Sequence, residues 1–175
     1  MDDRSVVAVQ IGRQPRSPVE VSSRCHLDLP VVTAVPPLLD DGTPFPTRFW
    51  LGCPLAVLRI SRLESAGGIA AAEALLAGDP ALRVAFTETT RRYAAERDRL
   101  ISADHSGPRP TGGVGGARSG VKCLHAQYAD HAAGNVNPIG EWVHGQIGPL
   151  DCVVPCVAVI AETVDRNPDW KEPPA

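Results

Sequence analysis

At Leu55 the hydrophobic pattern changes its period, and that change limits the kind of domain the chain can build. Before it, residues 19–24 (VEVSSR), 31–35 (VVTAV) and 49–51 (FWL) alternate or run in short β-branched groups and read as strands. Asp40-Asp41-Gly42 marks a turn between the second and third, because glycine accepts the positive φ of a tight turn. After it, Leu55, Leu58, Ile60 and Leu63 recur at helical spacing with Arg59, Arg62 and Glu64 between them. The prediction is an α+β domain over residues 1–165: a small antiparallel sheet in the N-terminal half packed against four or five helices. Residues 166–175 read as a polar tail.

Breakers divide the helical half. Gly67-Gly68 stops the first helix, residues 69–77 restart it, and Gly78 is placed as a C-terminal cap. Asp79-Pro80 opens the longest helix, since Asp caps free N–H groups and Pro tolerates the first helical position. Its buried stripe is predicted as Leu82, Ala85, Phe86, Tyr93, Leu100 and Ile101, with the arginine-rich residues 91–99 as a solvated face. Residues 103–120, rich in Gly and Pro, predict a mobile loop. Gly115 and Gly120 have phosphate-loop spacing, but Val121 stands where Lys is required; Gly113, Gly115 and Arg118 fail the dinucleotide fingerprint at its last position. Residues 120–134 follow as a helix, Asn137-Pro138 starts a short one, and residues 150–160 read as an edge strand carrying Cys152, Pro155 and Cys156. Residues 4–12 fit either a strand or a helix. Arg13 to Pro18 then breaks whichever forms.

A net charge of −3 and a pI near 5.9 exclude a basic nucleic-acid-binding face. Arg13, Arg16 and Arg24 form a local cluster able to hold an anion. No run approaches the roughly 18–20 apolar residues of a membrane span, and the N-terminus does not read as a signal peptide. A cytoplasmic location is expected. There, five cysteines, an odd count, are reduced, metal-bound or catalytic rather than a disulfide frame.

The chemistry gathers in residues 120–134 (GVKCLHAQYADHAAG), which place Cys123, His125, Asp130 and His131 close together. Zinc takes four tetrahedral ligands, usually thiolates and imidazoles. No C-x2-C pair is present, so the predicted site is long-range: Cys25 and Cys53 at strand ends, with Cys123 and His125. Residues two apart on a helix diverge by roughly 200°, so Cys123 must sit at or before the helix N-terminus and His125 in its first turn. Such a site would join the sheet to the helix of residues 121–134. Four protein ligands make it structural; three with a nearby carboxylate (Asp40, Asp41, Glu64 or Asp130) make it hydrolytic. His26, Cys152 and Cys156 are further possible ligands, the last two alternatively a redox pair. The ligand or partner is a small molecule or a protein that the sequence does not name.

Two other readings stand beside this one. Cys123 at a helix N-terminus would have a lowered pKa and serve as the nucleophile of a hydrolase or transferase. His131, about 12 Å further along the same helix, is too far to be its base. That leaves His26, His105, His144 or His125, with Asp130 as orienting carboxylate. In the third reading the thiols are inert buried groups of an interaction module.

The segments QIGRQPR (10–16), RC (24–25), DGTPFPTRFWLGCP (41–54), SRLE (61–64), VKCLHA (121–126) and NPIG (137–140) resemble, in order, the domain of unknown function 501 family, which is mostly actinobacterial. The resemblance implies cysteines at positions 25, 53 and 123 and a histidine at 125 as shared features, and so strengthens the metal reading. It carries no established activity. The family's genes often lie near those for enolase, a septum-forming division protein and an exopolyphosphatase, which is the basis for linking an interaction module to cell division. Cys152 and Cys156 have no clear place in the family pattern.

Overall fold

The computed structural model describes residues 1–174, and its architecture is α+β. The chain opens with helix α1 (Asp3–Ile11), not a strand. Asp2 accepts the Ser5 N–H at 3.0 Å as an N-cap, and Gly12, at φ 70°, ends the helix in the left-handed region. Those two caps decide between the readings that the β-branched residues left open.

Strands β1 (Glu20–Arg24), β2 (Pro30–Ala34) and β3 (Phe49–Leu51) form an antiparallel sheet in the order β1-β2-β3. The central strand β2 is buried throughout, as its run of apolar and small residues requires. Gly42, at φ 76°, turns the β2–β3 connection, and its N–H donates to Leu39 O at 2.8 Å.

Helices α2 (Pro54–Ser65), α3 (Gly68–Gly78), α4 (Pro80–Arg99), α5 (Leu124–Ala132) and α6 (Pro138–Ile147) follow the sheet. Asp79 caps α4 by accepting the Ala81 and Leu82 N–H groups, and Asn137 caps α6 by accepting that of Gly140. The main core lies between the sheet and helices α2, α5 and α6, where Val32, Leu55, Ile60, Leu124, Ile139 and Val143 have no exposed surface. No helix is long and apolar enough, among the described residues, to cross a membrane.

Two expectations are corrected. Helix α4 buries Phe86, Thr89, Tyr93 and Arg97, while Leu100 lies 53% exposed at its C-cap. Arg97 is therefore not on the solvated face; its Nη1 donates to Gly112 O at 2.7 Å and holds down the loop. That glycine-rich loop packs against α4. The Gly113 N–H donates to Ala117 O at 2.8 Å, Val114 is buried beside Tyr93, and a Cβ on Gly113 would collide with Thr90. Gly113 serves close approach to α4. Finally, only Val157–Ile160 of the expected C-terminal strand is regular (β4), paired antiparallel with β5 (Thr163–Arg166). The segment that follows folds back, with Trp170 against the core and Glu172 paired to Arg62 at 2.6 Å.

Candidate metal centre

Cys123 occupies the N-cap of α5 in extended conformation (φ −155°, ψ 121°), and His125 is the second residue of that helix. Cysteine is a poor cap, and its side chain accepts none of the free N–H groups. The Glu64 carboxylate of α2 does so, with Leu124 N–H donating to its Oε1 at 2.6 Å, while Val121 N–H, two residues before the cap, donates to Glu73 of α3. The partial positive charge of a helix start favours this placement. On α2, Val57, Ser61 and Glu64 follow one another at helical spacing and form the wall facing His125.

The His125 ring is fixed from both sides. Nε2 lies 3.2 Å from the Val57 carbonyl and 3.2 Å from Ser61 Oγ. A carbonyl only accepts, so Nε2 carries the hydrogen and donates it, which leaves Nδ1 with its lone pair. That lone pair faces Glu64 Oε1 at 3.3 Å and Cys123 Sγ at 3.9 Å. One carboxylate oxygen, one sulfur and one ring nitrogen thus lie within 4.8 Å of one another, all half-buried. Tetrahedral zinc with bonds of about 2.0–2.3 Å separates its donors by about 3.3–3.8 Å, close to the two spacings to Nδ1. Burial alone would lower the His125 pKa; the Cys123 hydrogen bond, the Glu64 charge and the Val57 carbonyl outweigh it and raise the pKa above its ordinary value.

Cys123 and His125 also line a cavity of about 530 Å³. Phe49 and Trp50 supply aromatic walls, and Arg13 and Lys122 supply positive charge, with the Arg13 guanidinium 5.5 Å above the Trp50 ring. No carboxylate lines it among the described residues.

The family model described as Protein of unknown function (DUF501) matches residues 21–145. The chain belongs to that family. No curated protein and no solved structure matches this DUF501 chain.

Of the expected ligands, the DUF501 fold brings Cys123 and His125 together and adds Glu64, the one of the four candidate carboxylates that reaches them. Cys25 and Cys53 are not in that group; with Cys152 and Cys156 they line a separate cavity, and all five cysteines are free. They point elsewhere because Cys53 starts α2 while Glu64 ends it, a rise of about 16 Å along the helix. Asp130 is fully buried and committed to Arg92 at 2.6 Å and Asn137 at 3.0 Å, so it does not orient a base for Cys123. Asp41 is held by Thr43, whose N–H donates to it at 3.0 Å, and by Arg16 at 2.5 Å, which lowers its pKa to about 2. The arginine cluster is dispersed: Arg13 stacks on Trp50, Arg16 pairs with Asp41, and Arg24 pairs with Asp3 at 2.6 Å. Sequence reasoning named Glu64 only as one of several acids. The signal that could have singled it out is its place one helical turn beyond Ser61 on the face of Val57.

Proposed function

We propose that this chain is a metal-binding protein whose centre is Glu64, Cys123 and His125, with zinc as the ion. The observation that carries the reading is the convergence of Glu64 Oε1, Cys123 Sγ and His125 Nδ1 within 4.8 Å, with Nε2 tied to a backbone carbonyl. Hydrogen-bonded histidines of this kind are the usual zinc ligands, because the second nitrogen fixes the tautomer and orients the ring. Three protein ligands leave one coordination position, and the cavity beside Cys123 and His125 supplies room for a bound molecule. A zinc ion in such a site acts as a Lewis acid on the group that fills the open position. Arg13, Lys122 and Trp50 would orient an anionic molecule with a flat apolar part.

The thiol-nucleophile reading is the weaker one on geometry. In a nucleophile–base–carboxylate arrangement the thiol and the carboxylate sit on opposite ring nitrogens. Here both face Nδ1. Zinc content of the purified protein beside Cys123→Ala and His125→Ala decides the matter. One equivalent lost in each variant supports the centre. Unchanged zinc, together with alkylation of Cys123 far faster than that of a free thiol, replaces it with the nucleophile.

A further inference from the structure

Four of the five cysteines lie away from the Glu64 group and meet elsewhere. Cys25 follows β1, Cys53 is the N-cap of α2, and Cys152 and Cys156 sit in the irregular segment before β4. No local motif unites them; the fold brings all four to the wall of one cavity of about 10 Å³. That is room for a single water-sized body. The wall is four sulfurs and hydrocarbon from Leu27, Leu29, Leu55 and Leu150, with Gln10 and Trp170 as its polar side chains. Four sulfurs on one wall are the ligand set of a soft cation.

Two N–H groups are aimed at the sulfurs. Gln10 Nε2 donates toward Cys156 Sγ at 3.7 Å, and Trp170 Nε1 toward Cys152 Sγ at 3.5 Å. A neutral thiol is a weak acceptor, and donors of this kind tune sulfurs that carry negative charge in metal sites. The irregular segment is also pinned where the sulfurs need it. His26, next to Cys25, donates from Nε2 to Cys152 O at 2.9 Å, and the Asn167 N–H donates to Cys156 O at 3.1 Å.

We propose that Cys25, Cys53, Cys152 and Cys156 form an all-thiolate site for a thiophilic metal centre, separate from the Glu64 group. Binding replaces the thiol protons, which are released to solvent. Zinc as a single ion and iron as an iron–sulfur cluster share this ligand chemistry. No three of these sulfurs lie within 4.8 Å of one another, and tetrahedral zinc needs sulfurs about 3.8 Å apart. A single ion therefore draws the side chains inward, while a cluster, larger than this cavity, requires the wall to open.

The test uses protein purified anaerobically without added metal in a Cys123→Ala background, which removes the thiolate of the other centre. Zinc, iron and acid-labile sulfide are measured per chain, before and after incubation with zinc or with ferric iron, a thiol reductant and sulfide, the ferric iron supplying the oxidising equivalents of the cluster. One equivalent of zinc, or iron with sulfide and a visible charge-transfer band, is expected; the two results separate ion from cluster. Cys152→Ser combined with Cys156→Ser should lower the content about tenfold or more. Both positions lie in an irregular segment, so these variants keep the test open where Cys53→Ser fails to fold. Metal content unchanged by the double substitution overturns the site, and so does the absence of stoichiometric metal under every loading condition.

Discussion

Glu64 Oε1 faces His125 Nδ1 at 3.3 Å while the same oxygen accepts the Leu124 N–H at 2.6 Å. One carboxylate thus caps a helix and completes a candidate metal centre, and two substitutions separate the tasks. Glu64→Gln retains an acceptor for Leu124 but no charge, so stability should change little while zinc affinity falls. Glu64→Ala loses both and should cost about 1–2 kcal/mol in urea unfolding, the worth of a helix cap. Competition titration of zinc against a chelator reads the first effect.

The raised pKa of His125 sets a pH dependence for the metal-free protein. A histidine whose folded pKa lies above its unfolded value stabilises the fold by binding a proton more tightly there. That contribution is full below the ordinary value of 6.5 and is lost as pH rises through the higher folded value. Unfolding midpoints of metal-free protein should therefore fall across that window, and His125→Gln should flatten the slope. Zinc affinity runs the other way, rising with pH as the ligands give up their protons.

Gly68 is the contact point between α3 and the start of α5. A Cβ there would lie 2.7 Å from Leu63 O and 2.9 Å from Leu124 Cδ1. Because Leu124 lies between Cys123 and His125, Gly68→Ala should displace the centre as well as overpack the core. The expected cost is about 1–3 kcal/mol with weakened zinc binding. Chelator competition and urea unfolding on the same sample check both.

Arg92 and Asp130 form a pair in which the carboxylate has no exposed surface, and Asn137 Nδ2 supports it at 3.0 Å. Burial raises the Asp130 pKa even though Asn137 and Arg92 both pull it down. Arg92→Ala leaves a buried charge with only amide donors and should cost about 3–5 kcal/mol. Adding Asp130→Asn should recover part of that loss. A double-mutant cycle in urea measures the coupling.

Much of the scaffold is legible in the sequence because its signals are local. Alternation and the Asp40-Asp41-Gly42 turn mark β1 to β3, and Asp79-Pro80 and Asn137-Pro138 mark the starts of α4 and α6. The two-residue spacing of Cys123 and His125 requires an N-cap position, and Cys123 is found there. What is not legible depends on packing between distant segments. Val6, Val7, Val9 and Ile11 favour a strand by type, and only the caps at Asp2 and Gly12 show the helix. The role of Glu64 depends on how α2 meets α5. Strand ends do bring Cys25 and Cys53 together, but their neighbours come from the irregular segment 148–156, which has no periodicity to read.

Helix α2 begins at a thiol and ends at a carboxylate, and the two belong to different proposed metal centres. A rod of three turns whose Leu55, Ala56 and Ile60 are locked into the core transmits displacement poorly by bending and well by sliding. Drawing Cys53 inward on an ion would thus shift Glu64 along the axis, toward or away from His125. The state of one centre would tune the grip of the other through nothing more than the length of a helix.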